Sequence, residues 1–180
     1  MSIPTPTPVL ADVLAPGMEV VFCGTAVGDA SKRRGAYYAG PGNKFWQVLA
    51  EFGFTDRILK PEEYSLLPRY RIGLTDIAKS AHGADARLRA ADFDADSLAA
   101  RILGSSPLAL AFNGKRAACE FFRLRSTSQV AVGRHLQKIG STAIYVLPST
   151  SGGARRYGSP EPWAQLARDL GLGRGPQAGA

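Results

Sequence analysis

The sequence predicts an α/β protein built on a mainly parallel sheet that helices cover on both faces. Short apolar and β-branched runs alternate along the chain with amphipathic segments that carry helix caps. This alternation is typical of parallel sheets, whose strands are buried on both faces. The chain has 180 residues, near the usual size of one domain, so a single hydrophobic core is expected.

Strands are predicted where the apolar runs are continuous. The runs are residues 20–23, 70–74, 108–112 and 143–147, with a shorter candidate at 129–132. In parallel sheets, ligands bind at the carboxyl ends of the strands. The loops that follow the four main runs are therefore expected to meet at one edge of the sheet.

Helices are predicted between the strands and after the last one. They cover residues 44–52, 94–103, 114–124 and 160–170. Asp94, Asn113 and Ser159 stand where helix N-caps are preferred. Pro160 fits the first position of the last helix, and Gly171 fits its end.

The composition limits the class of protein. Apolar residues make up 45% of the chain and charged residues 21%, which excludes a largely disordered or collagen-like protein. No apolar run approaches the ~20 residues of a membrane span, and the N-terminus lacks the pattern of a secretion signal. We therefore expect a cytoplasmic protein without a membrane partner. One domain is predicted over residues 10–172, with flexible tails at 1–9 and 173–180.

The few cysteines and histidines give no support for a metal site. Cys23 and Cys119 lie in apolar segments and are predicted to be buried free thiols. With only His82 and His135 in addition, a zinc site is poorly supported. No metal is predicted.

An excess of basic residues indicates a polyanionic partner. Lys and Arg total 22 against 15 Asp and Glu, which gives a net charge of +7. Three loops at the predicted edge of the sheet are basic and carry Lys32, Arg33 and Arg34, then Lys115 and Arg116, then Arg155 and Arg156. Together they predict a phosphate-binding edge, although any one pair is equally well explained as a solubilising surface charge.

Two loops have the composition of ligand-binding loops. A glycine-bounded turn at residues 24–28 directly follows the first strand, and its main-chain N–H groups could hold an anion or a polarised carbonyl. Tyr37 and Tyr38 could stack on a base or pack on the core, and the sequence favours neither. The loop at 148–156 is small and polar, then basic, which suits close approach to a nucleic-acid strand or an ordinary turn before a helix.

Several motifs, in order along the chain, resemble one family. They are residues 11–17 (ADVLAPG), 20–24 (VVFCG), 41–46 (PGNKFW), 52–57 (FGFTDR), 59–61 (LKP), 140–142 (GST) and 147–148 (LP). With this order and spacing the chain resembles the mismatch-specific uracil-DNA glycosylases, the bacterial branch of the group that includes the thymine-DNA glycosylases. The resemblance covers most of residues 11–172.

The resemblance implies a three-layer α/β/α sandwich that acts as a monomer and needs no metal or redox cofactor. Family members hydrolyse the N-glycosidic bond of uracil opposite guanine in double-stranded DNA, and some also remove thymine or ethenocytosine. The target nucleotide is rotated out of the helix into a pocket, at a cost that is smallest for a mispaired base. The expected partner is therefore double-stranded DNA with G·U or related mismatches.

The family's catalytic motif is altered in this chain. In the family a Gly-x-Asn-Pro-Gly turn follows the first strand, and its Asn positions the attacking water. That turn falls on residues 24–28, and the Asn position is Ala26. A methyl group neither orients nor deprotonates water. Either the enzyme is crippled, or another side chain has taken the role.

A carboxylate would suit that role, because it can accept a proton from water and stabilise positive charge on the sugar. Asp76 and Asp29 are the candidates. Asp76 is favoured because it should project from the end of the second strand into the pocket, whereas Asp29 can point to solvent or pair with Lys32. The structural alternative for Asp76 is a helix cap or an ion pair with Lys79.

The resemblance also assigns the residues around the base. Tyr38 takes the place of an aromatic residue, usually Phe, that stacks on the flipped base. Main-chain N–H groups at Val27 and Gly28 should bind a carbonyl of the base and stabilise its charge as it leaves. Ser31 borders the base pocket, and Asn43 either fixes the loop or simply starts a helix.

The family's Asn-Pro-Ser-Gly-Leu-Ser-Arg pattern, which contacts DNA, falls on residues 149–155. Ser149 replaces the Asn near the pocket, and Gly153 replaces the Leu that fills the gap left by the flipped nucleotide. Either an arginine enters the base stack or the opposite guanine is read less strictly, so a broader substrate range is expected. The residues assigned to DNA are Lys32, Arg33, Arg34, Lys115, Gly152, Gly153, Arg155 and Arg156.

Two rival interpretations follow from the same residues. A DNA-binding module that lost catalysis together with the Asn would bind mismatched duplex without releasing a base. A nucleotide or phosphoester hydrolase would need a phosphate-binding lysine motif or a carboxylate cluster at the edge of the sheet. The sequence offers neither, since Asp92, Asp94 and Asp96 lie at a predicted helix start.

Overall fold

The computed structural model describes residues 7–152 and 159–172 and has the predicted three-layer architecture. Its sheet has five strands, β1 (Val20–Val27), β2 (Ile72–His82), β3 (Ala109–Asn113), β4 (Gly133–Ile139) and β5 (Thr142–Leu147). Their order across the sheet is β2-β1-β3-β5-β4. Four of them are mutually parallel, and β4 pairs antiparallel with β5 at one edge.

Helices lie on both faces of this sheet. The α-helices of the described residues are α1 (Asp29–Arg34), α2 (Phe45–Glu51), α3 (Ala95–Ser105), α4 (Lys115–Phe121) and α5 (Glu161–Asp169), and a long 3-10 helix, Pro61–Tyr70, precedes β2. Asp94 caps α3 as predicted, because its Oδ1 accepts the N–H of Ser97 at 2.8 Å. Asn113 is not a cap, since the residue before α4 is Gly114, with a φ of 114° that favours glycine.

The hydrophobic core is divided by the sheet into two layers. On one face Phe22 of β1 packs against Phe45 of α2 and Trp163 of α5, with ring centroids 5.4 and 5.5 Å away. On the other face Leu98 and Ile102 of α3 are fully buried against β1 and β3. This packing gives the predicted sandwich, in which alternate residues of the central strands face opposite layers.

Several predicted boundaries are wrong. The strand expected at 129–132 is absent, because Thr127–Gln129 forms a 3-10 turn and the edge strand begins only at Gly133. That strand is mostly exposed and therefore lacks an apolar run. The first two strands extend beyond 23 and 74, to Val27 and His82, so residues expected in loops lie in the sheet. The polar residues in these extensions interrupt the apolar runs from which the strands were predicted.

Other features of the chain are simpler. Cys23 and Cys119 are buried free thiols, as predicted. At the end of the tail expected at 1–9, the Val9 N–H donates to the Lys79 carbonyl at 2.9 Å and so contacts β2. Within the described residues, no helix combines the length and the apolar character that crossing a membrane would require.

Candidate active site

A cavity of about 420 Å³ lies at the carboxyl ends of the parallel strands. The predicted loops after β1, β3 and β5 line it, whereas the loop expected at 75–80 is part of β2, which contributes Asp76. Its lining residues are Gly24, Thr25, Ala26, Val27, Gly28, Ser31, Tyr37, Tyr38, Gly40, Asn43, Asp76, Gly83, Ala84, Asp85, Asn113, Gly114, Lys115, Arg116, Ser149 and Ser151. Asp76 and all six residues assigned to the base are among them.

Asp76 is the buried acid of this cavity. It was expected just beyond β2, but it lies within the strand, in register with Gly24 of β1. Its residue is only 3% exposed, and its Oδ2 has no hydrogen-bond partner among the described residues. Burial raises the pKa of Asp76 to about 6, with the negative charge of Asp12 adding to the rise. Asp76 is therefore mostly ionised at neutral pH and can still take up a proton.

Behind Asp76, three charged residues form a compact network. Lys79 Nζ lies 2.7 Å from Asp12 Oδ1 and 3.9 Å from Asp76 Oδ2. Arg101 binds the other oxygen of Asp12 at 2.8 Å and also donates to the Asp76 main-chain carbonyl at 3.1 Å. The positive charges of Lys79 and Arg101 oppose the rise in the pKa of Asp76. The ion pair with Lys79 that the sequence suggested is thus longer than the pair between Lys79 and Asp12.

The altered turn lies beside Asp76, because its first residue, Gly24, is in register with Asp76. Ala26 lines the cavity from within β1, where it pairs with Ala78 of β2. The carbonyl of Val27 accepts the N–H of Gly83 at 2.9 Å, and the carbonyl of Gly28 accepts the N–H of Lys32 at 2.9 Å. The methyl group of Ala26 offers no polar atom, so the polar chemistry of the cavity belongs to other residues.

A polar network that the sequence did not predict holds the loops of the cavity together. Asn43 Oδ1 accepts the N–H of Phe45 and the hydroxyl of Thr150, each at 3.0 Å. Asn113 donates to the same hydroxyl at 2.8 Å and accepts the Thr150 N–H at 3.0 Å. Asn43 thus both starts α2 and fixes the loop. A polar residue at the end of the fully buried β3 was the signal that could have identified Asn113.

The two serines of the base pocket have local partners. Ser31 is 5% exposed, and its hydroxyl oxygen accepts the N–H of Ala39 at 2.9 Å, which closes the loop after α1. Ser149 donates to Ser151 Oγ at 3.2 Å and lies against Gly114, where an added Cβ would be 3.2 Å from the Ser149 Cβ. Both serines line the cavity, and their contact with a base stays a prediction.

The structure does not bring Asp29 to the cavity. Its carboxylate forms an ion pair with Arg87 and lies 3.0 Å from His82 Nδ1, and Asp29 is not among the residues that line the cavity. The hydrogen bond from Arg87, followed by that from His82, lowers the pKa of Asp29. An exposed, strongly paired carboxylate is a poor base, so the alternative to Asp76 loses its geometric support. The expected partner Lys32 contacts His82 instead, at 2.8 Å.

The basic edge is only partly as predicted. Lys115 and Arg116 line the cavity, whereas Lys32, Arg33 and Arg34 do not, and Arg34 forms an ion pair with Glu62. Gly152 lies against the chain itself, since an added Cβ there would be 2.5 Å from the Pro41 carbonyl oxygen. The packing of this loop against Pro41 therefore explains the small residue at position 152 without a contact to DNA. The assignments to Gly153, Arg155 and Arg156 fall outside the described residues.

Unpaired polar atoms mark the cavity as a binding site. Among the described residues, the buried side-chain polar atoms without a hydrogen-bond partner are Tyr38 Oη, Asp76 Oδ2 and Arg116 Nε. All three residues line the cavity. Buried polar groups in native proteins are nearly always paired, so unpaired ones concentrated in one cavity indicate a place where water or a polar ligand binds.

The fold and the cavity define an α/β/α protein with a polar cavity at the carboxyl ends of its strands, beside a buried acid. Residues 11–171 match the uracil DNA glycosylase superfamily. The chain belongs to this superfamily, and its general activity is that of a DNA-repair hydrolase that cleaves N-glycosidic bonds of uracil.

A solved structure supports the same fold. A candidate uracil DNA glycosylase from Methanosarcina acetivorans, determined in solution by NMR, matches with a TM-score of 0.63 and 24% sequence identity. The match covers 90% of this chain and 96% of that chain.

The charges behind Asp76 should set its pKa in opposite directions. In an NMR titration of the Asp76 carboxyl carbon, we expect a pKa of about 6 for the wild type. Lys79→Gln should raise this pKa because a nearby positive charge is lost, and Asp12→Asn should lower it because a negative charge is lost. The pKa of Asp29 serves as the internal control. Shifts of the same sign in both variants would contradict this assignment.

The ionised side chain of Asp76 should destabilise the folded state, because the pKa of Asp76 is about 6 rather than the ordinary 3.8. The folded state holds the Asp76 proton more tightly than the unfolded state does. The stability contributed by protonated Asp76 is therefore lost as the pH rises from about 4 to about 6. Asp76→Asn removes the cost and is expected to stabilise the protein at neutral pH by on the order of 2–3 kcal/mol. Thermal unfolding as a function of pH measures it; a less stable variant at neutral pH would contradict the expectation.

Proposed function

We propose that the protein is a monofunctional mismatch-specific uracil-DNA glycosylase in which Asp76 activates water. The observation that carries the proposal is the position of Asp76, a buried carboxylate in the cavity of a glycosylase fold whose usual Asn position is Ala26. Uracil opposite guanine in double-stranded DNA is the proposed substrate, with thymine and damaged pyrimidines as further candidates. Monomeric state and cytoplasmic location stay predictions.

The flipped nucleotide would enter the cavity between the loops after β1 and β5. Tyr38 offers an aromatic ring, and Ser31, Asn43 and Ser149 supply polar atoms in the same cavity. Main-chain groups at Val27 and Gly28 would meet a carbonyl of the base. A mispaired base costs less to rotate out of the duplex, which favours G·U over A·U.

Asp76 would act on both partners of the reaction. As the C1′–N bond breaks, the sugar gains positive charge, which a fixed negative charge nearby stabilises. The same carboxylate then accepts a proton from the attacking water. Its pKa of about 6 suits this task, because the group is ionised at neutral pH and still basic enough to receive the proton.

Lys115 and Arg116 would hold the DNA backbone at the mouth of the cavity. Lys115 is exposed and lines the cavity, and Arg116 spans from the cavity to Glu120, which lies 2.9 Å away. Contacts of this kind fix the duplex and carry no sequence information. The net charge of +7 supports the same partner.

A second function is favoured by one observation. Ala26 stands where the mismatch-specific uracil-DNA glycosylases have the Asn whose amide positions water. A catalytically weakened module that binds mismatched DNA is therefore the alternative. The two functions differ in one product, since the module would bind G·U duplex without producing an abasic site.

Substitution of the two aspartates tests the mechanism. In single-turnover cleavage of G·U duplex, Asp76→Asn is expected to lower the rate by at least about 100-fold, because the base and the fixed charge are lost together. Asp29→Asn is the matched control and should retain the wild-type rate, because its carboxylate is paired outside the cavity. Full cleavage by Asp76→Asn would exclude Asp76 as the base, and wild-type binding without cleavage would favour the module.

The same assay on G·U, A·U and single-stranded uracil tests the mismatch preference. We expect release to be fastest from G·U because that pair opens at the least cost. Equal rates on all three substrates would reject the mismatch-specific assignment while leaving the glycosylase activity in place.

Lys115→Ala should weaken DNA binding in a salt-dependent manner. Loss of one phosphate contact is expected to reduce the slope of log K against log salt by about 1. Lys138→Ala is the matched control, because this exposed lysine lies on β4 opposite Ala143, away from the carboxyl ends of the strands. An identical slope for wild type and Lys115→Ala would place the phosphate contacts elsewhere.

A further inference from the structure

The hydroxyl of Tyr38 is placed in a way that base stacking does not explain. Tyr38 has a φ of 52°, which is rare for a residue with a side chain, and its ring stacks on Phe45 with centroids 3.9 Å apart. Stacking needs only a ring, which Phe would supply equally well. The ring nevertheless carries a hydroxyl that is buried and has no hydrogen-bond partner among the described residues. A buried unpaired hydroxyl is costly, so it calls for a function.

Gly24 shows where this hydroxyl lies. A Cβ added to Gly24 would be 2.7 Å from Asp76 Oδ1 and 3.3 Å from Tyr38 Oη. The carboxylate of the proposed base and the hydroxyl of Tyr38 therefore converge on one point of β1. Any side chain at residue 24 would collide with Asp76. Both residues line the same cavity.

We propose that the Tyr38 hydroxyl is the second group that holds the attacking water, so that Tyr38 and Asp76 above Gly24 together replace the missing amide. The inference rests on the proposed function and deepens it. Carboxylate and hydroxyl come from different elements, β2 and the loop after α1, and meet over a glycine.

The chemistry needs both groups. The water donates one hydrogen to Asp76 and the other to Tyr38 Oη, which leaves a lone pair directed at the sugar. The C1′–N bond breaks with its electron pair leaving on the base, the water oxygen forms the new bond to C1′, and the water proton passes to Asp76. Tyr38 exchanges no proton, and no further reactant is required.

The environment keeps the Tyr38 hydroxyl in its neutral form. Burial, followed by the negative charge of Asp76, raises the pKa of Tyr38 well above its usual value, although Asn113 nearby opposes the rise. A neutral phenol can accept a hydrogen from water without competing with Asp76 for its proton. Asp76 therefore remains the single base of the pair.

Tyr38→Phe tests the inference, because it keeps the ring and removes only the hydroxyl. Single-turnover cleavage of G·U duplex should fall by about 10- to 100-fold, since the water loses its orientation. Tyr145→Phe is the matched control: the Tyr145 hydroxyl donates to Asp169 at 2.7 Å outside the cavity, so its loss should leave the rate unchanged. Thermal unfolding should show that Tyr38→Phe is at least as stable as the wild type.

A double-mutant cycle separates this role from a structural one. If both groups act on one water, Tyr38→Phe should change the rate of Asp76→Asn by less than about 2-fold. An equal loss in both backgrounds, or a wild-type rate for Tyr38→Phe alone, would overturn the inference. If the wild type is active and Asp76→Asn is at least about 100-fold slower, either of these results leaves the proposed function standing.

A second readout does not depend on cleavage. Removing the hydroxyl should raise the pKa of Asp76 in an NMR titration, because a water held less firmly stabilises the carboxylate less. An unchanged pKa of Asp76 in Tyr38→Phe would overturn the inference, whether or not the protein cleaves DNA. Absence of cleavage by the wild type would instead count against the proposed function.

Discussion

A carboxylate held inside the sheet is the constraint on which the rest of the site depends. Asp76 is buried in β2, and its oxygens meet Gly24 on one side and Lys79 on the other. Burial alone would neutralise such a group, whereas the positive charges of Lys79 and Arg101 keep part of its acidity. Asp12 in turn holds both cations by short contacts, so the charge of Asp76 depends on residues from three separate parts of the chain.

In the proposed mechanism, the activation of water moves from the turn after the first strand to the neighbouring strand. The resembling family carries its catalytic amide on the turn after the first strand, and here that turn is part of β1 and presents Ala26. The register of β1 and β2 places Gly24 beside Asp76, so the neighbouring strand can serve the same cavity. A charge at this position costs stability, and in the proposed mechanism it supplies reactivity, a trade common at functional sites.

The fold could be predicted from the sequence because its signals are local. Apolar runs, caps and glycine stops marked the order of β1, β2, β3 and β5, and the rule for parallel sheets then gathered their loops at one edge. The extension of β2 past residue 74 could not be read in this way, because Thr75 and Asp76 are polar and become strand residues only by pairing with β1. The edge strand β4 gave no apolar signal because most of its residues are exposed.

The site was predictable in its position and less so in its partners. Asp76 could be selected because it follows an apolar run, but the fate of Asp29 was not visible. Its partners His82 and Arg87 are more than fifty residues away in the chain, and only the fold brings them together. The same holds for Thr150, which joins Asn43 and Asn113 across the cavity.

The dependence of single-turnover cleavage on pH tests the central claim most directly. With Asp76 as the base, the rate on G·U duplex should be constant at higher pH and fall about tenfold per pH unit below an apparent pKa at or above about 6, since nearby phosphates can only raise this pKa. A rate that stays constant from about pH 5 to about pH 8 would contradict the account, because no carboxylate with the pKa of Asp76 could then be accepting the proton.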